Sequence, residues 1–504
     1  MSVLSMLVLL LTHPLEFRTL LQYKIWHEAN RDISAPSEWK FSGWDRKSMR
    51  RCWDFLDMTS RSFSGVIKEL EGDLARITCL FYLVLRGLDT IEDDMTLPDE
   101  KKQSLLRRFH ELTVTPGWTF NESGPDEKDR QLLVEYDVVS DELLVLDEKY
   151  RDVILDITVK METGMADYAH RAAATGEVYV EKISDYDLYC HYVAGLVGEG
   201  MTRLFSASGK EAPWFGEQLE LANSMGLMLQ KTNIIRDYRE DVEDRRFFWP
   251  REIWGREIYG KAVGRPAFTE MAQMYQPGNE QQALWVQSAM VVDVLGHAVD
   301  SLDYLRLLKT QSVFNFCAIP QTMAIATLCL CFMNYEMFQR NIKIRKAEAA
   351  SLIMRSTNPR DVAYIFRDYA RKIHSKAVSE DPSFLQISVA CGKIEQWCEQ
   401  HYPSFVSVSA SAGGTRQQTF DTSDARSQVA EAAEKRDQER AWQTRLAAAQ
   451  ANGKANGTQR KPLGDGKDEF KAILLYVFGA FLLVLIVGLG ATWLFLQYYE
   501  KFFS

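Results

Sequence analysis

Apolar residues recur at helical spacing along almost all of residues 13–403, and this periodicity limits most strictly the folds open to the chain. Examples are the series Leu74-Ile77-Leu80-Phe81-Leu85 and Val291-Val294-Leu295-Ala298-Leu302. Steps of three and four place such side chains on one helix face. Alternating strand patterns joined by Asn-Gly or Asp-Gly turns are missing from this range. The pattern predicts an all-α fold, a single-domain helical bundle, with boundaries at prolines such as Pro98, Pro250 and Pro320.

Residues 404–470 differ from the bundle in composition. They are dominated by Gly, Ala, Ser, Gln and charged residues, so they cannot bury a core and are predicted to form a polar flexible linker. The opposite end of the chain, residues 1–12, is a short apolar segment without a preceding positive charge or a cleavage site. We interpret it as a docking strip or a membrane-surface contact, not as a cleaved signal peptide.

A long apolar segment follows the predicted linker. Within the predicted anchor, residues 471–497, the 25 residues 472–496 carry no charge, which is enough to cross a bilayer, and residues 498–504 would be a short luminal tail. Three lysines precede the segment and one follows it, so the positive-inside rule leaves the bundle in the cytosol. A buried helix at the chain end is the alternative. The apolar run at 323–333 is too short to span a bilayer and predicts a core helix.

Charge and cysteine content exclude several classes of protein. There are 59 Lys and Arg against 69 Asp and Glu, a net charge of −10, which argues against a nucleic-acid partner. The eight cysteines form no CxxC pair, which disfavours a zinc site or a secreted disulfide framework and predicts buried, reduced thiols.

Two predicted helices carry a polar stripe on otherwise apolar surroundings. In the first, the stripe consists of Tyr82, Arg86, Asp89 and Asp93, with Glu92 adjoining. In the second, it consists of Gln230, Asn233, Asp237 and Asp241, with Glu240 adjoining. Buried carboxylates are costly unless a cation compensates them. Oxygen ligands alone favour Mg²⁺, and two facing clusters could hold a diphosphate between them. The alternative is a solvated acidic helix end, but two such helices, each with a nearby arginine (Arg86, Arg236), favour the metal.

Several long strings of this sequence resemble squalene synthases, and in particular a fungal-type member of the squalene/phytoene synthase family. They are FYLVLR and DTIEDD (89–94), YCHYVAGLVG (189–198), RLFSAS (203–208), QKTNIIRDYRED (230–241), FFWPREIW (247–254), QSVFNFCAIPQ (311–321) and KIRK (343–346). The resemblance covers residues 13–403 and extends to the C-terminal anchor. Arg239 departs from the family pattern, which usually has Leu there, but it lies off the stripe of Asp237 and Asp241.

The resemblance implies an isoprenoid synthase fold with a central cavity and two coupled reactions. Two farnesyl diphosphates would condense head to head to presqualene diphosphate, which NADPH would convert reductively to squalene, the first committed step of sterol biosynthesis. It implies Mg²⁺ ligands at Asp89, Glu92, Asp93, Asp237 and Asp241. Other residues it assigns to cofactor and diphosphate contacts are Arg61, Arg86, Arg236, Lys343 and Arg345. Tyr189 would act as the base, and the ring of Phe316 would stabilise the carbocation.

Two alternatives stay open at this point. A phytoene- or dehydrosqualene-synthase type enzyme would share both acidic helices but use no reductant. A catalytically inactive, tail-anchored tether would belong to another class, although such a protein has no reason to keep paired buried carboxylates. We expect a monomer in the endoplasmic reticulum membrane, held by its single C-terminal anchor.

Overall fold

The computed structural model describes residues 3–26, 31–60, 63–404, 435, 436 and 439, with side chains from residue 8 onward. The chain divides into two units, Met1–Ala433 and Glu434–Ser504, and the following description concerns the first. The predicted linker, anchor and luminal tail lie outside the described residues, apart from those few positions. Their boundaries stay predictions.

The described part of the chain is mostly helical. Its first helices are α1 Val3–Thr12, α2 Pro14–Trp26, α3 Trp39–Ser42, α4 Lys47–Ser60, α5 Phe63–Lys68, α6 Leu74–Asp93, α7 Asp99–Leu106 and α8 Phe109–Leu112. The next are α9 Arg130–Val134, α10 Asp137–Leu144, α11 Glu148–Thr175, α12 Ile183–Cys190, α13 Leu196–Ala207, α14 Leu219–Arg236, α15 Tyr238–Glu243 and α16 Arg251–Trp254. The last are α17 Glu257–Lys261, α18 Glu280–Leu295, α19 Ala298–Leu307, α20 Gln311–Cys331, α21 Glu336–Gln339, α22 Lys346–Arg355, α23 Pro359–Lys376 and α24 Phe384–His401.

Two short strands depart from the all-α prediction. They are β1 Val178–Tyr179 and β2 Arg246–Phe247, which pair in parallel with Val178 opposite Arg246. Strands of two residues are too short to show an alternating pattern, so these strands could not be predicted from sequence periodicity. The pair connects the end of α11 to the segment that follows α15, next to the second acidic stripe.

Helix α14 lies at the centre of the bundle, packed against α13, α18, α19 and α20. Glycine permits a close approach of α14 to the turn before α13, because a Cβ on Gly226 would lie 2.5 Å from the carbonyl oxygen of Ala194 in that turn. No side chain fits in that space. The helix that carries the second acidic stripe is therefore held rigidly by its neighbours.

Helix α20 confirms the core helix predicted for the apolar run at 323–333. It is the one described helix long and apolar enough to cross a membrane, and most of it is buried inside the bundle. Pro320 lies inside this helix, so the boundary predicted there is wrong, whereas Pro98 and Pro250 directly precede helices as predicted. All eight cysteines are buried and free, which confirms the prediction for the thiols.

Candidate active site

The first acidic stripe occupies the last turns of α6. This helix buries its apolar residues on nearly every side and leaves Arg86 and Asp89 each about 30% exposed. Asp89, Glu92 and Asp93 lie where the helix dipole is negative, and no basic residue stands in the last turn. That placement is unfavourable for carboxylates. The end of α6 therefore carries negative charge that the helix itself does not compensate.

Burial perturbs the carboxylates of this stripe. It raises the pKa of Asp89 to about 7, against the opposing effect of Arg86, with Asp93 and Asp129 raising it further. Burial also raises the pKa of Glu92 well above its ordinary value, and the neighbouring Asp93 adds to the rise. Such shifts mark groups whose charge lacks sufficient compensation within the protein.

Arg86 is the cation closest to this stripe. Burial lowers its pKa, but Asp89, Tyr82 and Asp129 together outweigh burial and leave the pKa raised. Its Nη1 lies 3.5 Å from Asp89 Oδ2, and its Nε donates to the Tyr82 hydroxyl over 3.2 Å. Asp129, at 3.8 Å from Nε, is a partner that the sequence pattern did not indicate.

The second acidic stripe was predicted on one continuous helix, and this is wrong. α14 ends at Arg236, α15 begins at Tyr238, and Asp237 stands between them with φ −91° and ψ 8°. The break preserves the four-residue spacing of the stripe. The backbone amide of Asp237 still donates to the carbonyl oxygen of Asn233, and the backbone amide of Asp241 donates to the carbonyl oxygen of Asp237. The stripe therefore keeps one face.

Asp237 is the most heavily bonded carboxylate of the site. Arg236 forms a bidentate ion pair with it: Nε donates to Oδ1 at 2.7 Å, and Nη2 donates to Oδ2 at 2.6 Å. Asn341 Nδ2 donates to the same Oδ1 over 2.6 Å and to Glu240 Oε2 over 3.1 Å. Arg236 thus lies beside the carboxylate as predicted, whereas Asn341 was not anticipated.

Arg246 joins the two stripes. Its Nη1 lies 3.9 Å from Asp93 Oδ1, and its Nη2 lies 3.1 Å from Asp241 Oδ1 and 3.3 Å from Asp244 Oδ2. Its Nε is buried and finds no hydrogen-bond partner among the described residues. Sequence reasoning missed this residue, although an arginine shortly after an acidic motif and directly before an aromatic string was a usable signal. One guanidinium thus reaches carboxylates from both stripes.

Asp241 is the most buried of these carboxylates, with 10% of its side chain exposed. Burial raises its pKa to about 7 although Arg246 opposes the rise, and Asp237 and Asp244 contribute further. Arg239 lies apart from this charge, as predicted: it pairs with Glu243 at 2.7 Å and its guanidinium covers the ring of Tyr275.

The donor set of the two stripes fits Mg²⁺, although its ligands do not converge. Among the described residues, no three carboxylate, histidine or cysteine side chains form a ready metal cluster. Mg²⁺ commonly takes only one or two carboxylates and completes its shell with water and phosphate oxygens. The raised pKa values of Asp89, Glu92 and Asp241 show that negative charge is in excess here. A divalent cation would compensate that excess.

A cavity of about 640 Å³ opens beside the carboxylates, lined by Glu92, Asp93, Arg246 and the aromatic residues Tyr168, Tyr189 and Phe248. The ring of Tyr189 stacks on Phe248 at 4.7 Å and meets Tyr168 edge-on at 5.1 Å. Burial raises the pKa of Tyr189 well above its ordinary range, and Glu92 adds to the effect. Tyr189 is therefore a neutral phenol at one wall of this cavity.

The backbone after Tyr189 is irregular. A single π-helical turn, His191–Gly195, connects α12 to α13. π-turns inside helices are frequent at functional sites. This one packs against α14, so it fixes the helix of Tyr189 relative to the helix of the second stripe.

Phe316 lies deeper, on α20, between the rings of Phe63 at 5.3 Å and Phe205 at 5.9 Å. It is not among the residues that line the cavity described above. Pro320, four residues on, removes the amide that would otherwise bond the carbonyl of Phe316. Arg61, the remaining predicted arginine, lies outside the described residues.

Lys343 and Arg345 belong to an irregular segment between α21 and α22. Both side chains are exposed, and Arg345 Nε lies 3.0 Å from Glu16 Oε1 on α2. At its other end, the segment is bonded to the second stripe through Asn341. The predicted basic loop is therefore next to the acidic site, a proximity that sequence spacing did not reveal.

Comparison with known proteins gives consistent results. A family model described as squalene/phytoene synthase matches residues 56–348. A squalene synthase of Ganoderma lucidum is 71% identical over 448 residues, covering 89% of this chain and 96% of that protein. One of Schizosaccharomyces pombe is 50% identical over 391 residues, covering 77% of this chain and 81% of the relative. A solved structure of TcSQS with a ligand superposes with a TM-score of 0.65 at 38% identity, covering 71% of this chain and all of that one.

Proposed function

Because the chain belongs to the squalene/phytoene synthase family, we propose that it acts as a squalene synthase, a farnesyl-diphosphate farnesyltransferase. It joins two farnesyl diphosphates head to head to presqualene diphosphate, and then converts this intermediate to squalene with NADPH, the first committed step of sterol biosynthesis. The observation that carries the proposal is the approach of both acidic stripes to Arg246, beside an aromatic cavity.

The carboxylates of the two stripes would hold Mg²⁺ and, through it, the leaving diphosphate. The residues in question are Asp89, Glu92, Asp93, Asp237 and Asp241. Bound there, Mg²⁺ supplies positive charge that stabilises the departing diphosphate and so favours ionisation of the allylic bond. The excess negative charge at Asp89 and Asp241, seen in their raised pKa values, supports this assignment.

Fixed cations would hold the diphosphate from the protein side. Arg86 and Arg236 stand beside one stripe each, Arg246 lies between the stripes, and Arg61 precedes α5 in the chain. A guanidinium donates two parallel hydrogen bonds to phosphate oxygens. Arg246 is the best placed of the described arginines, because its buried Nε has no partner in the described part of the chain and its other nitrogens reach both stripes.

The aromatic wall would protect the carbocation and receive its proton. A dry cavity excludes the water that would otherwise quench a carbocation. Tyr189, with its raised pKa, does not ionise near neutral pH. It therefore acts as a relay: its oxygen accepts the proton lost when the cyclopropane closes, while its own hydroxyl proton passes to the departing diphosphate. Phe316 does not line this cavity but lies deeper, between the rings of Phe63 and Phe205, and its ring would stabilise the carbocation there.

The exposed pair Lys343 and Arg345 would bind the phosphates of NADPH, which supplies a hydride to the rearranged carbocation. Support comes from their position: the segment that holds them is bonded through Asn341 to the second stripe, so the nucleotide would lie close to the diphosphate site.

A location in the endoplasmic reticulum membrane, with the bundle in the cytosol and residues 471–497 as the anchor, belongs to the same proposal, as does a monomeric state. Both substrate and product are lipid-like, which gives a reason for tethering.

Product analysis tests the proposal. Full-length protein in detergent micelles is incubated with farnesyl diphosphate and Mg²⁺, with and without NADPH, and the extracted products are identified by mass. We expect squalene with NADPH, and presqualene diphosphate or an unreduced hydrocarbon without it. A product that does not depend on NADPH would indicate the phytoene-synthase type of reaction, and no consumption of substrate by the folded protein would favour the tether.

A further inference from the structure

Asn341 is placed where the two predicted binding regions meet. It stands two residues before Lys343, in the segment between α21 and α22, and its Nδ2 bonds Asp237 and Glu240 of the second stripe. Its Oδ1 is buried and has no hydrogen-bond partner among the residues that the structure describes. A buried amide oxygen without a hydrogen-bond partner destabilises the folded state. The arrangement is therefore not the most stable one available to a purely structural asparagine.

The bonds at Asp237 Oδ1 explain what Asn341 does. A carboxylate oxygen has two lone pairs, and this one accepts from Arg236 Nε at 2.7 Å and from Asn341 Nδ2 at 2.6 Å. Arg236 also bonds the other oxygen of Asp237, so its grip is bidentate and harder to displace. A cation that binds Oδ1 therefore competes with both donors, and the Asn341 amide, which holds this carboxylate by one bond, is easier to displace than Arg236, which holds it by two.

From this competition we propose that Asn341 is a latch that couples the acidic site to the basic loop. Without a cation, the amide ties the 341–345 segment to Asp237 and Glu240. When a cation and a diphosphate occupy the stripe, the amide is released, and the segment that carries Lys343 and Arg345 becomes free to close on a nucleotide. Asn341 is a positioning residue in this scheme. The nucleotide part rests on the proposed function.

The coupling is reciprocal, because two ligands that influence one conformational equilibrium affect each other's affinity equally. Occupation of the acidic site should raise NADPH affinity by about tenfold, a magnitude typical of such coupling. Removing the Asn341 amide should have the same effect on the 341–345 segment as occupation of the acidic site. The Asn341→Leu variant has a side chain of similar shape without hydrogen-bonding atoms, and it should bind Mg²⁺ with pyrophosphate more tightly than the wild type.

Hydrogen exchange of the full-length protein tests the latch without any nucleotide. In the wild type, Mg²⁺ with inorganic pyrophosphate should speed the exchange of the amides of residues 342–345. In Asn341→Leu, exchange should be fast from the start and unchanged by these additions. Arg340→Ala is the matched control, because Arg340 is its exposed neighbour and pairs only with Glu336 among the contacts described for it. It should behave as the wild type does.

Two results would overturn the latch. One is exchange in the wild type that Mg²⁺ and pyrophosphate leave unchanged although calorimetry shows that they bind. The other is an equal response in wild type and Asn341→Leu, with Asn341→Ala as a second variant in case the leucine disturbs folding. NADPH titration separates this inference from the proposed function. If the exchange response occurs but NADPH does not bind, the latch stands and the assignment of the nucleotide loop fails.

Discussion

Asp241→Asn should make the protein more stable when no metal is present, even though it should abolish catalysis. Asp241 is nearly buried, and burial raises its pKa from its ordinary value of 3.8 to about 7 despite its ion pair with Arg246. Above pH 7 the Asp241 carboxylate is ionised in the folded protein, where burial makes the negative charge unfavourable. In the unfolded chain the same carboxylate is ionised in water without this penalty. Asparagine keeps the shape and removes the charge.

The size of the effect follows from the two pKa values. A difference of about three pH units at about 1.36 kcal/mol per unit sets an upper limit of about 4 kcal/mol at pH 8. Relaxation around Arg246 lowers this, so we expect a gain of about 2 to 4 kcal/mol. The sign of the pH dependence is fixed: the folded protein binds the Asp241 proton more tightly, so the penalty is relieved as the pH falls from about 7 towards 4. At pH 5 the gain of the variant should be less than half of its value at pH 8.

Urea unfolding followed by circular dichroism, with a chelator present, measures this difference in full-length protein. Asp244→Asn is the matched control, because Asp244 contacts the same arginine but its side chain is 64% exposed. It should change the free energy of unfolding by no more than about 0.5 kcal/mol. A variant Asp241→Asn that is less stable than wild type at pH 8, or a gain that is equal at pH 5 and pH 8, would refute the reasoning.

Five further substitutions have expected outcomes. Asp237→Asn should abolish both half-reactions, measured as farnesyl diphosphate consumption and as reduction of added presqualene diphosphate; near-normal turnover would exclude the metal assignment. Lys343→Ala or Arg345→Ala should weaken NADPH binding more than condensation, and an unchanged apparent NADPH affinity would contradict the loop assignment. Glu16→Gln should tighten NADPH binding about two- to fivefold, because the exposed Arg345 loses an ion-pair partner that competes for it and is worth about 0.3–1 kcal/mol; a weaker affinity would mean that Glu16 supports the loop. Gly226→Ala should lower the free energy of unfolding by about 2 to 3 kcal/mol, because the new Cβ overlaps backbone atoms of the turn before α13.

Gly65→Ala is the control for the glycine substitution. Its Cβ would meet no atom within 4 Å, so the substitution should leave stability unchanged or slightly raised. A loss equal to that of Gly226→Ala would show that the packing between α14 and its neighbour is not the cause.

Helical periodicity and the acidic stripes were accessible from the sequence, because both depend on neighbours three and four residues away. α6 confirms this: the side chains at Arg86 and Asp89 pair along one face as the spacing predicts. α20 confirms it for the core, apart from Pro320, which the helix accommodates within the buried bundle.

The contacts that assemble the site were not accessible in the same way. Arg246 reaches Asp93 from more than 150 residues away in the chain, and Asn341 reaches Asp237 from 104 residues away. No local pattern encodes such pairs, since tertiary packing of α14 and its neighbours sets them. The break at Asp237 escaped prediction for a different reason: it preserves the four-residue spacing and so leaves no trace in the periodicity.

Calorimetric titration of Mg²⁺ into the protein with inorganic pyrophosphate, for wild type and Asp89→Asn, tests most directly whether the two stripes hold cations around a diphosphate. We predict that Mg²⁺ binds the wild type tightly only when pyrophosphate is present. The Asp89→Asn variant should lose most of this affinity, although the second stripe is unchanged in it. Equal Mg²⁺ affinity in the two proteins, or pyrophosphate binding that is as tight without Mg²⁺ as with it, would contradict a metal-bridged diphosphate site.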